Sequence, residues 1–277
     1  MPTLTVTTIQ SNLHWKNKAA NLKMFEDKIN GIKERTELIV LPEMFSTGFV
    51  MQPQELAETM EGKTVQWMRR LAAVKKVIIC GSVIIMENDL TAGSEGAQYY
   101  NRLIWMLPDG QYGYYDKRHR FAYAGEDENY TAGSKRLISS VNGWKINLLV
   151  CYDLRFPVWS RQTPTFPGES GRMAEPEYDI LVYVANWPEK RYAAWRTLLQ
   201  ARAIENQCYV IGTNRTGDDG NDIHYNGGSM VIDPLGEILY EKTNEEDINT
   251  ITLNKAHLQN IREKFPFLRD SDQFAIL

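Results

Sequence analysis

The chain has 277 residues, of which 43% are hydrophobic, 24% charged and 11% aromatic, and this composition excludes collagen-like, coiled-coil and wholly disordered proteins. Its 35 acidic side chains outnumber the 31 Lys and Arg side chains and give a net charge of −4, so nucleic acid is not expected as a partner. The three cysteines, Cys80, Cys151 and Cys208, are too few for a disulfide framework, and no ligand spacing typical of zinc occurs.

The first part of the chain alternates between strand and helix signals. Residues 4–8 alternate in polarity as a strand does, and a helix is then indicated by apolar side chains spaced three and four residues apart. The side chains on its predicted buried face are Leu22, Phe25, Ile29 and Ile32. An apolar strand follows and ends at Pro42, because proline lacks the N–H that strand pairing needs. A second amphipathic helix is predicted around residues 65–72, and the next apolar strand over residues 77–85.

Antiparallel hairpins become more frequent further along the chain. The elements predicted there are strands at 99–107, 112–115, 180–186 and 208–213, a helix at 195–204, and hairpin turns at 108–110, 142–143 and 233–236. Strand–helix–strand units mixed with hairpins favour an α/β protein, whose sheets carry helices on one face and bury the other. We expect a single domain over residues 1–277 that ends in a C-terminal tail of about 20 residues. The proline-rich polar segment Thr163–Glu177 is expected to be a flexible insert.

Two further features bear on location. The N-terminal sequence alternates like a strand and lacks the charged and then apolar pattern of a signal peptide. The longest apolar stretch, residues 77–86, is interrupted by Gly81 and Ser82 and is too short to span a bilayer. We therefore expect a cytoplasmic protein with reduced cysteines and no membrane association.

A candidate general base follows the second predicted strand. Glu43 stands in the segment LPEMF, flanked by apolar side chains. If Glu43 is buried, loss of solvation raises the pKa of its carboxyl group toward that of a base working near neutral pH. The alternative is an exposed loop glutamate with no role in chemistry.

Two other segments carry a candidate cation and a candidate nucleophile. Lys117 ends a strand-like run, where it is either a fixed cation or part of a solvated turn. Cys151 ends the apolar strand INLLV and precedes a turn into a helix, whose N-terminus would favour a thiolate and an oxyanion. The alternative for any free cysteine is a buried structural role, which suits Cys80 and Cys208 better because they lie within apolar strands.

Other catalytic chemistries have less support in the sequence. A Cys–His hydrolase needs an imidazole base, and of the four histidines only His119 lies in a segment of interest. No G-x-S-x-G elbow is present for a serine hydrolase. No phosphate-binding glycine loop is present either, so a nucleotide cofactor is not expected.

Three short motifs, each at the end of an apolar run, together resemble the nitrilase superfamily of carbon–nitrogen hydrolases. They are LPE ending at Glu43, DK ending at Lys117 and CYD beginning at Cys151, in this order. The resemblance extends from the first strand to residues 227–237. It implies a four-layer α-β-β-α sandwich. Members usually pair across a helical surface, so the resemblance also implies a homodimer or higher homo-oligomer.

The resemblance implies a role for each motif residue. Glu43 would be the general base, Lys117 the cation at the tetrahedral intermediate and Cys151 the nucleophile. The family's second glutamate falls at Glu126, where it would hold Lys117 or orient the substrate; the residues alone leave a surface glutamate in an acidic loop equally open. The backbone N–H of Tyr152 would share the oxyanion with Lys117. The reaction would pass through a thioester, so neither a metal nor an organic cofactor is expected.

Within the superfamily, the segments LPEMFSTGF, YDKRHRF and CYDLRFPVWSR resemble the bacterial omega-amidase branch. That branch releases ammonia from the terminal amide of 2-oxo acids such as 2-oxoglutaramate and 2-oxosuccinamate. Arg120 and the length of Thr163–Glu177 depart from its pattern. The alternatives are a carbamoyl amidase, a deaminated-glutathione amidase, a nitrilase, or a non-catalytic binding member. A non-catalytic member would be expected to have lost one of the three motif residues.

Such a substrate carries a carboxylate far from its reacting amide, and a planar guanidinium can bind that carboxylate with two hydrogen bonds. Arg155 is expected to do so, because related carbamoyl amidases have a carboxylate-binding arginine at the same distance from the cysteine. The alternative is that Arg155 pairs with Asp153 or Glu126 and braces the turn. The second-choice cations are Arg118 and Arg120, and the expected walls of the pocket are Phe45, His119, Asn186 and Trp187.

Overall fold

Two β-sheets form the centre of the protein, whose structure is a computed structural model describing residues 2–88, 96–162, 176–272 and 274–276. Listed from one edge to the other, the strands of the first sheet are β13 (Asp247–Asn254), β1 (Thr3–Gln10), β2 (Leu38–Val40), β3 (Ile78–Asn88), β4 (Ala97–Met106) and β5 (Tyr112–Asp116). The pairs β1–β2 and β2–β3 run parallel, and the other neighbours run antiparallel.

The second sheet repeats this plan, with a parallel centre and antiparallel edges. Its strands in order are β10 (Thr216–Asp218), β11 (His224–Ile232), β9 (Tyr209–Thr213), β8 (Ile180–Val184), β7 (Trp144–Val150) and β6 (Leu137–Val141), and β12 (Ile238–Thr243) also pairs with β11. The parallel pairs are β7–β8 and β8–β9. Parallel strands need crossover connections, which are usually helical. The pairs β1–β2, β2–β3 and β8–β9 are connected through helices at residues 18–31, 63–75 and 192–206.

Helices cover the outer faces of both sheets. The helices are α1 (Lys18–Gly31), α2 (Lys63–Lys75), α3 (Glu126–Asn129), α4 (Pro157–Ser160), α5 (Tyr192–Asn206) and α6 (Lys255–Lys264). Phe25 of α1 and Met68 of α2 pack on the first sheet, while Trp195 and Leu199 of α5 pack on the second. A Cβ at Gly212 of β9 would lie 2.6 Å from Leu199, so glycine allows this close approach of α5.

The largest hydrophobic core lies between the two sheets. Val6, Val40 and Leu103 from the first sheet pack in one cluster with Leu148 and Val182 from the second, and all five are fully buried. The layers therefore follow the order α-β-β-α, and the four-layer sandwich implied by the resemblance is confirmed. Burial of apolar surface on both faces of each sheet stabilises this arrangement.

Three local expectations need correction or comment. Cys151–Arg155 forms a 3-10 turn followed by the four-residue α4, instead of the helix expected after the nucleophile. The expected C-terminal tail is partly ordered, because α6 buries Leu258 against the main core. Residues 163–175 of the expected flexible insert lie outside the described residues. Among the helices described, none has the length and apolar character needed to cross a membrane.

Candidate active site

The predicted site residues lie where strands of both sheets end. Glu43 follows β2, Lys117 follows β5, Cys151 follows β7 and Asn186 follows β8. Because β7 and β8 are parallel, the segments after them begin at the same edge of the sheet. A cavity of about 540 Å³ opens there, and its walls include Lys117, Cys151, Tyr152, Arg155, Asn186 and Trp187. The topology therefore brings together residues that are far apart in sequence.

Lys117 is held between two buried carboxylates. Its Nζ donates hydrogen bonds to Glu43 Oε1 at 2.9 Å and to Glu126 Oε1 and Oε2 at 3.0 and 2.8 Å. Burial lowers the pKa of the Lys117 ammonium, but the charges of Glu126 and Glu43 outweigh burial and raise this pKa above its ordinary value. Lys117 is therefore a cation at neutral pH. Glu126 is fully buried, so it is not an exposed glutamate of an acidic loop.

Asn101 of β4 links both carboxylates, and no motif in the sequence pointed to it. Its Nδ2 donates to Glu43 Oε1 at 2.7 Å and to Glu126 Oε1 at 3.2 Å. Its backbone carbonyl accepts the backbone N–H of Lys117 at 3.0 Å. One side chain thus fixes the spacing of the two glutamates. The available signal was a polar residue two positions before the apolar run LIWM, since a buried amide needs partners.

Glu43 is also held from the opposite side by the segment after β8. Glu43 Oε2 accepts the backbone N–H of Asn186 at 2.8 Å, and the Glu43 carbonyl accepts the Asn186 side-chain amide at 2.6 Å. The carboxylate of Glu43 is fully buried and has donors on both oxygens. The position of this carboxylate is therefore fixed before any substrate binds.

Cys151 occupies a strained turn at the cavity wall. Its φ is +43°, a left-handed conformation that is rare for residues other than glycine, and its side chain is 8% exposed. Burial and the negative charge of Glu43 raise the pKa of the Cys151 thiol well above its ordinary value. This corrects the expectation that the turn favours a resting thiolate. The thiol is therefore protonated at neutral pH. Its Sγ donates to the Asn186 backbone carbonyl at 3.9 Å, and the Glu43 carboxylate lies close enough to raise the thiol pKa.

A buried carboxylate holds this turn in place. Asp153 Oδ2 accepts the Val150 N–H at 3.0 Å and the Tyr115 hydroxyl at 2.8 Å, and Asp153 Oδ1 accepts the His119 N–H at 3.1 Å. These bonds connect the residue before Cys151 with the residues on both sides of Lys117. The hydrogen bonds offset the strain at Cys151 and fix its position relative to Lys117.

The structure places two of the expected wall residues away from the cavity. Phe45 is fully buried in the core beneath α1 and α2, where its ring meets Phe25 edge-on at 5.6 Å between centroids. His119 stacks on Phe156 at 3.8 Å, and its Nδ1 lies 2.8 Å from Asp153 Oδ1. Neither side chain lines the cavity. Asp153 also binds the His119 ring, so among the residues that the structure describes no imidazole lines the cavity with Cys151 for a Cys–His mechanism.

Of the candidate cations, one lines the cavity and two do not. Arg118 lies over the ring of Trp159, and Arg120 donates to the carbonyls of Asp127 and Tyr130, so neither lines the cavity. Arg155 does line it, with its guanidinium carbon 4.9 Å from the centre of the Trp187 ring. Within the described part of the chain, the Arg155 guanidinium forms no ion pair with Asp153 or Glu126. The ion pairs considered for a bracing role of Arg155 are therefore absent from the described residues.

Several cavity residues were not anticipated from the sequence. They are Trp15, Phe49, Met51, Gln52, Phe121, Arg191, Asp219 and Tyr225. They come from five separate parts of the chain. Phe49 and Phe121 fall inside the resembling segments LPEMFSTGF and YDKRHRF but were not singled out there. Their common feature is aromatic or polar character next to a strand end, which is too frequent in proteins to identify a site.

Comparison with known proteins bears on the chemistry of this site. The family model described as carbon-nitrogen hydrolase matches residues 5–263. The chain is 42% identical to omega-amidase YafV of Escherichia coli strain K12, over the full length of both proteins. It is 32% identical to 2-oxoglutaramate amidase of Bacillus subtilis, over 96% of each chain.

A solved structure is similar over its whole length. The protein XC1258 of Xanthomonas campestris, described as a CN-hydrolase superfamily protein with an arsenic adduct in the active site, has a TM-score of 0.91 to this chain. The two sequences are 40% identical, and the match covers 100% of both chains. The similarity therefore includes every element that positions the cavity.

Proposed function

The chain belongs to the carbon-nitrogen hydrolase family, in the omega-amidase branch of the nitrilase superfamily, and on this premise we propose both its substrate and its catalytic residues. It hydrolyses the terminal amide of 2-oxo dicarboxylic acid monoamides, such as 2-oxoglutaramate and 2-oxosuccinamate, to the 2-oxo acid and ammonia. The observation that carries the proposal is the cavity at which a cysteine on a strained turn faces a buried Glu–Lys–Glu cluster. The full-length similarity to omega-amidases supports the choice of substrate.

The first half of the reaction forms a thioester. Glu43 takes the proton of the Cys151 thiol, and the sulfur attacks the amide carbonyl carbon. The negative charge that develops on the carbonyl oxygen is stabilised by the Lys117 ammonium and the Tyr152 backbone N–H. Glu43 then gives its proton to the nitrogen, the carbon–nitrogen bond breaks, and ammonia leaves. Glu126 keeps Lys117 charged and in position throughout, because it shares two of the lysine's hydrogen bonds.

The second half of the reaction hydrolyses the thioester. Water enters the space that ammonia has left, and Glu43 removes a proton from the water as it attacks the carbonyl. The carbon–sulfur bond breaks, and the Cys151 sulfur regains a proton from Glu43. The raised pKa of Cys151 suits this step, because the free enzyme returns to a protonated thiol and a charged carboxylate.

The single domain, the cytoplasmic location and the homodimer belong to the same proposal. Coverage of residues 5–263 by one family model supports one catalytic domain. Three free cysteines without a disulfide suit a reducing compartment. Val158 of α4 and Ile204 of α5 are exposed apolar side chains on outer helices, which suits pairing of two copies across a helical surface.

The substrate proposal is tested by ammonia release from four compounds. We expect the protein to act best on 2-oxoglutaramate and much less on glutamine, a ureido acid and a nitrile of similar length. Ammonia production is measured with each compound at equal concentration. Preference for the ureido acid would instead indicate a carbamoyl amidase, and no reaction with any compound would indicate a binding protein.

Arg155 provides the first test of how the acid end is bound. In Arg155→Met, KM for 2-oxoglutaramate should rise by about tenfold to hundredfold, because a charge-assisted contact with the carboxylate is lost. KM for pentanamide, a neutral amide of similar length, should change little. Steady-state kinetics on both substrates measure the difference. Equal losses on both, together with a lower melting temperature, would show that Arg155 only stabilises the turn.

A further inference from the structure

We propose that Arg191 is the second cation of the acid-binding subsite and that, together with Arg155, it binds the 2-oxo carboxylate end of the substrate. This inference rests on the proposed function and names the group that selects its substrate class. Arg191 lies in the 3-10 turn before α5, outside every motif noted in the sequence. Its side chain lines the same cavity as Cys151.

One tryptophan positions both arginines. The face of the Trp187 ring carries the Arg155 guanidinium, and its Nε1–H donates to the Arg191 carbonyl at 2.8 Å. Trp187 is itself fixed, because Asn214 binds both its backbone N–H at 2.8 Å and its carbonyl at 2.9 Å. The Arg155 guanidinium and the Arg191 backbone therefore share one rigid support, as a preorganised binding site requires.

A second aromatic ring connects Arg191 with the catalytic cluster. The Arg191 guanidinium carbon lies 5.0 Å from the centre of the Phe121 ring. The Phe121 backbone N–H donates to Glu126 Oε2 at 2.5 Å, and Glu126 binds Lys117. The Arg155 guanidinium therefore packs on Trp187 and the Arg191 guanidinium on Phe121, and both rings line the cavity that contains Cys151. An acid bound by the two arginines would place its amide near Cys151.

The charges around the cavity favour an anionic ligand at this position. Lys117 is compensated by two carboxylates, and Lys16 lies 3.8 Å from Glu55. The carboxylate of Asp219 is already occupied by two backbone N–H groups and the Tyr225 hydroxyl.

Among the cavity residues that the structure describes, Arg155 and Arg191 are left as cations without a carboxylate partner. Neither forms an ion pair within residues 2–88, 96–162, 176–272 and 274–276. A partly buried cation without a partner gains from binding an anion, because the anion replaces lost solvation.

Two guanidinium groups can also supply a hydrogen-bond donor to each of the three oxygens of a 2-oxo acid end. A carboxylate offers two acceptor oxygens, which one planar guanidinium binds in parallel. The adjacent keto oxygen needs a further donor, and a second guanidinium supplies it. The pair should therefore distinguish a 2-oxo acid amide from a simple acid amide, and a simple acid amide from a neutral one.

The test compares Arg191→Met with wild type on three amides. The amides are 2-oxoglutaramate, glutaramate, which lacks the keto oxygen, and pentanamide, which lacks both groups. We expect KM for 2-oxoglutaramate to rise by about tenfold to hundredfold, KM for glutaramate to rise less, and kinetics with pentanamide to stay near wild type. Arg191→Lys should restore part of the loss, because it keeps the charge without the planar fork.

Lys190 supplies a matched control. It is the exposed neighbour of Arg191 in the same turn and does not line the cavity, so Lys190→Met should leave all three substrates unaffected. An unchanged KM for 2-oxoglutaramate in Arg191→Met, or equal losses on the three amides, would overturn the proposal.

Inhibition by 2-oxoglutarate separates this proposal from the proposed function. With pentanamide as substrate, 2-oxoglutarate should inhibit wild type competitively and Arg191→Met much more weakly. If wild type fails to hydrolyse 2-oxoglutaramate but shows this inhibition, the proposed substrate is wrong and the acid-binding role of Arg191 stands. If wild type hydrolyses 2-oxoglutaramate and both proteins are inhibited equally, Arg191 does not bind the acid.

Discussion

Replacement of Cys151 with alanine is expected to reduce ammonia release at least about 10⁴-fold, because no other group at the cavity can form the thioester. The protein should remain folded, since Cys151 lies at the cavity wall and the substitution removes one sulfur atom from a site that is already open. Steady-state rates and the melting temperature measure the two outcomes. Activity close to wild type would remove Cys151 from the mechanism.

Cys80 and Cys208 are the matched controls for this experiment. Both are fully buried in the core between and around the sheets, and burial raises the pKa of both thiols. Their alanine variants should retain activity and lose roughly 1–3 kcal/mol of stability. Iodoacetamide should label Cys151 first, at a rate that rises with pH because its pKa is raised. Fast labelling of Cys208 with activity retained would contradict the assignment.

Glu43→Gln is expected to lower kcat by about 10²- to 10⁴-fold, since the amide cannot accept the proton of the thiol or of the attacking water. The change is nearly isosteric, but it also disturbs the hydrogen bonds. Lys117 and Asn101 donate to Glu43 Oε1, so the glutamine oxygen must stay there and its NH₂ group must face the Asn186 N–H donor. KM should change much less than kcat, because Glu43 does not bind the acid end of the substrate.

A surface glutamate controls for the substitution itself. Glu26 pairs with Arg70 at 2.6 Å on the outside of α1, and Glu26→Gln should leave kcat unchanged. Near-normal turnover in Glu43→Gln would rule out Glu43 as the base. Equal loss of kcat in both variants would indicate a general effect on folding.

The residues proposed to carry the chemistry could be singled out in the sequence because each follows a predicted strand. Such a position places a polar side chain at a sheet edge, and the three motifs at Glu43, Lys117 and Cys151 together resemble one superfamily. The layered fold could be predicted from the same strands, because they form sheets that must bury apolar side chains on both faces. The family likeness then located Glu126, which the residues alone left undecided.

Residues whose role depends on pairing between distant segments were not predictable. Asn101 looks like an ordinary strand residue until the sheet places it between two carboxylates. Phe45 is only two residues from Glu43, but the chain turns at residues 43–47, and the Phe45 ring packs into the core under α1 and α2. His119 was placed in the pocket wall because of its proximity to Lys117, whereas Asp153 holds it elsewhere.

The cations that line the cavity were equally hard to predict from the sequence. Arg118 and Arg120 are close to Lys117 in sequence, yet one lies over Trp159 and the other binds two carbonyls. Arg191 is far from every motif and reaches the cavity because Trp187 holds its carbonyl. Distance along the chain is therefore a poor guide to which charge meets the substrate.

The thioester on Cys151 is the central claim, and acid quenching early in the reaction with 2-oxoglutaramate tests it most directly. After digestion at low pH, mass spectrometry should find the peptide containing Cys151 heavier by 2-oxoglutaric acid minus one water, and Cys151→Ala should carry no such adduct. An adduct confined to a peptide that contains Cys80 or Cys208, or continued ammonia release by Cys151→Ala, would contradict the claim.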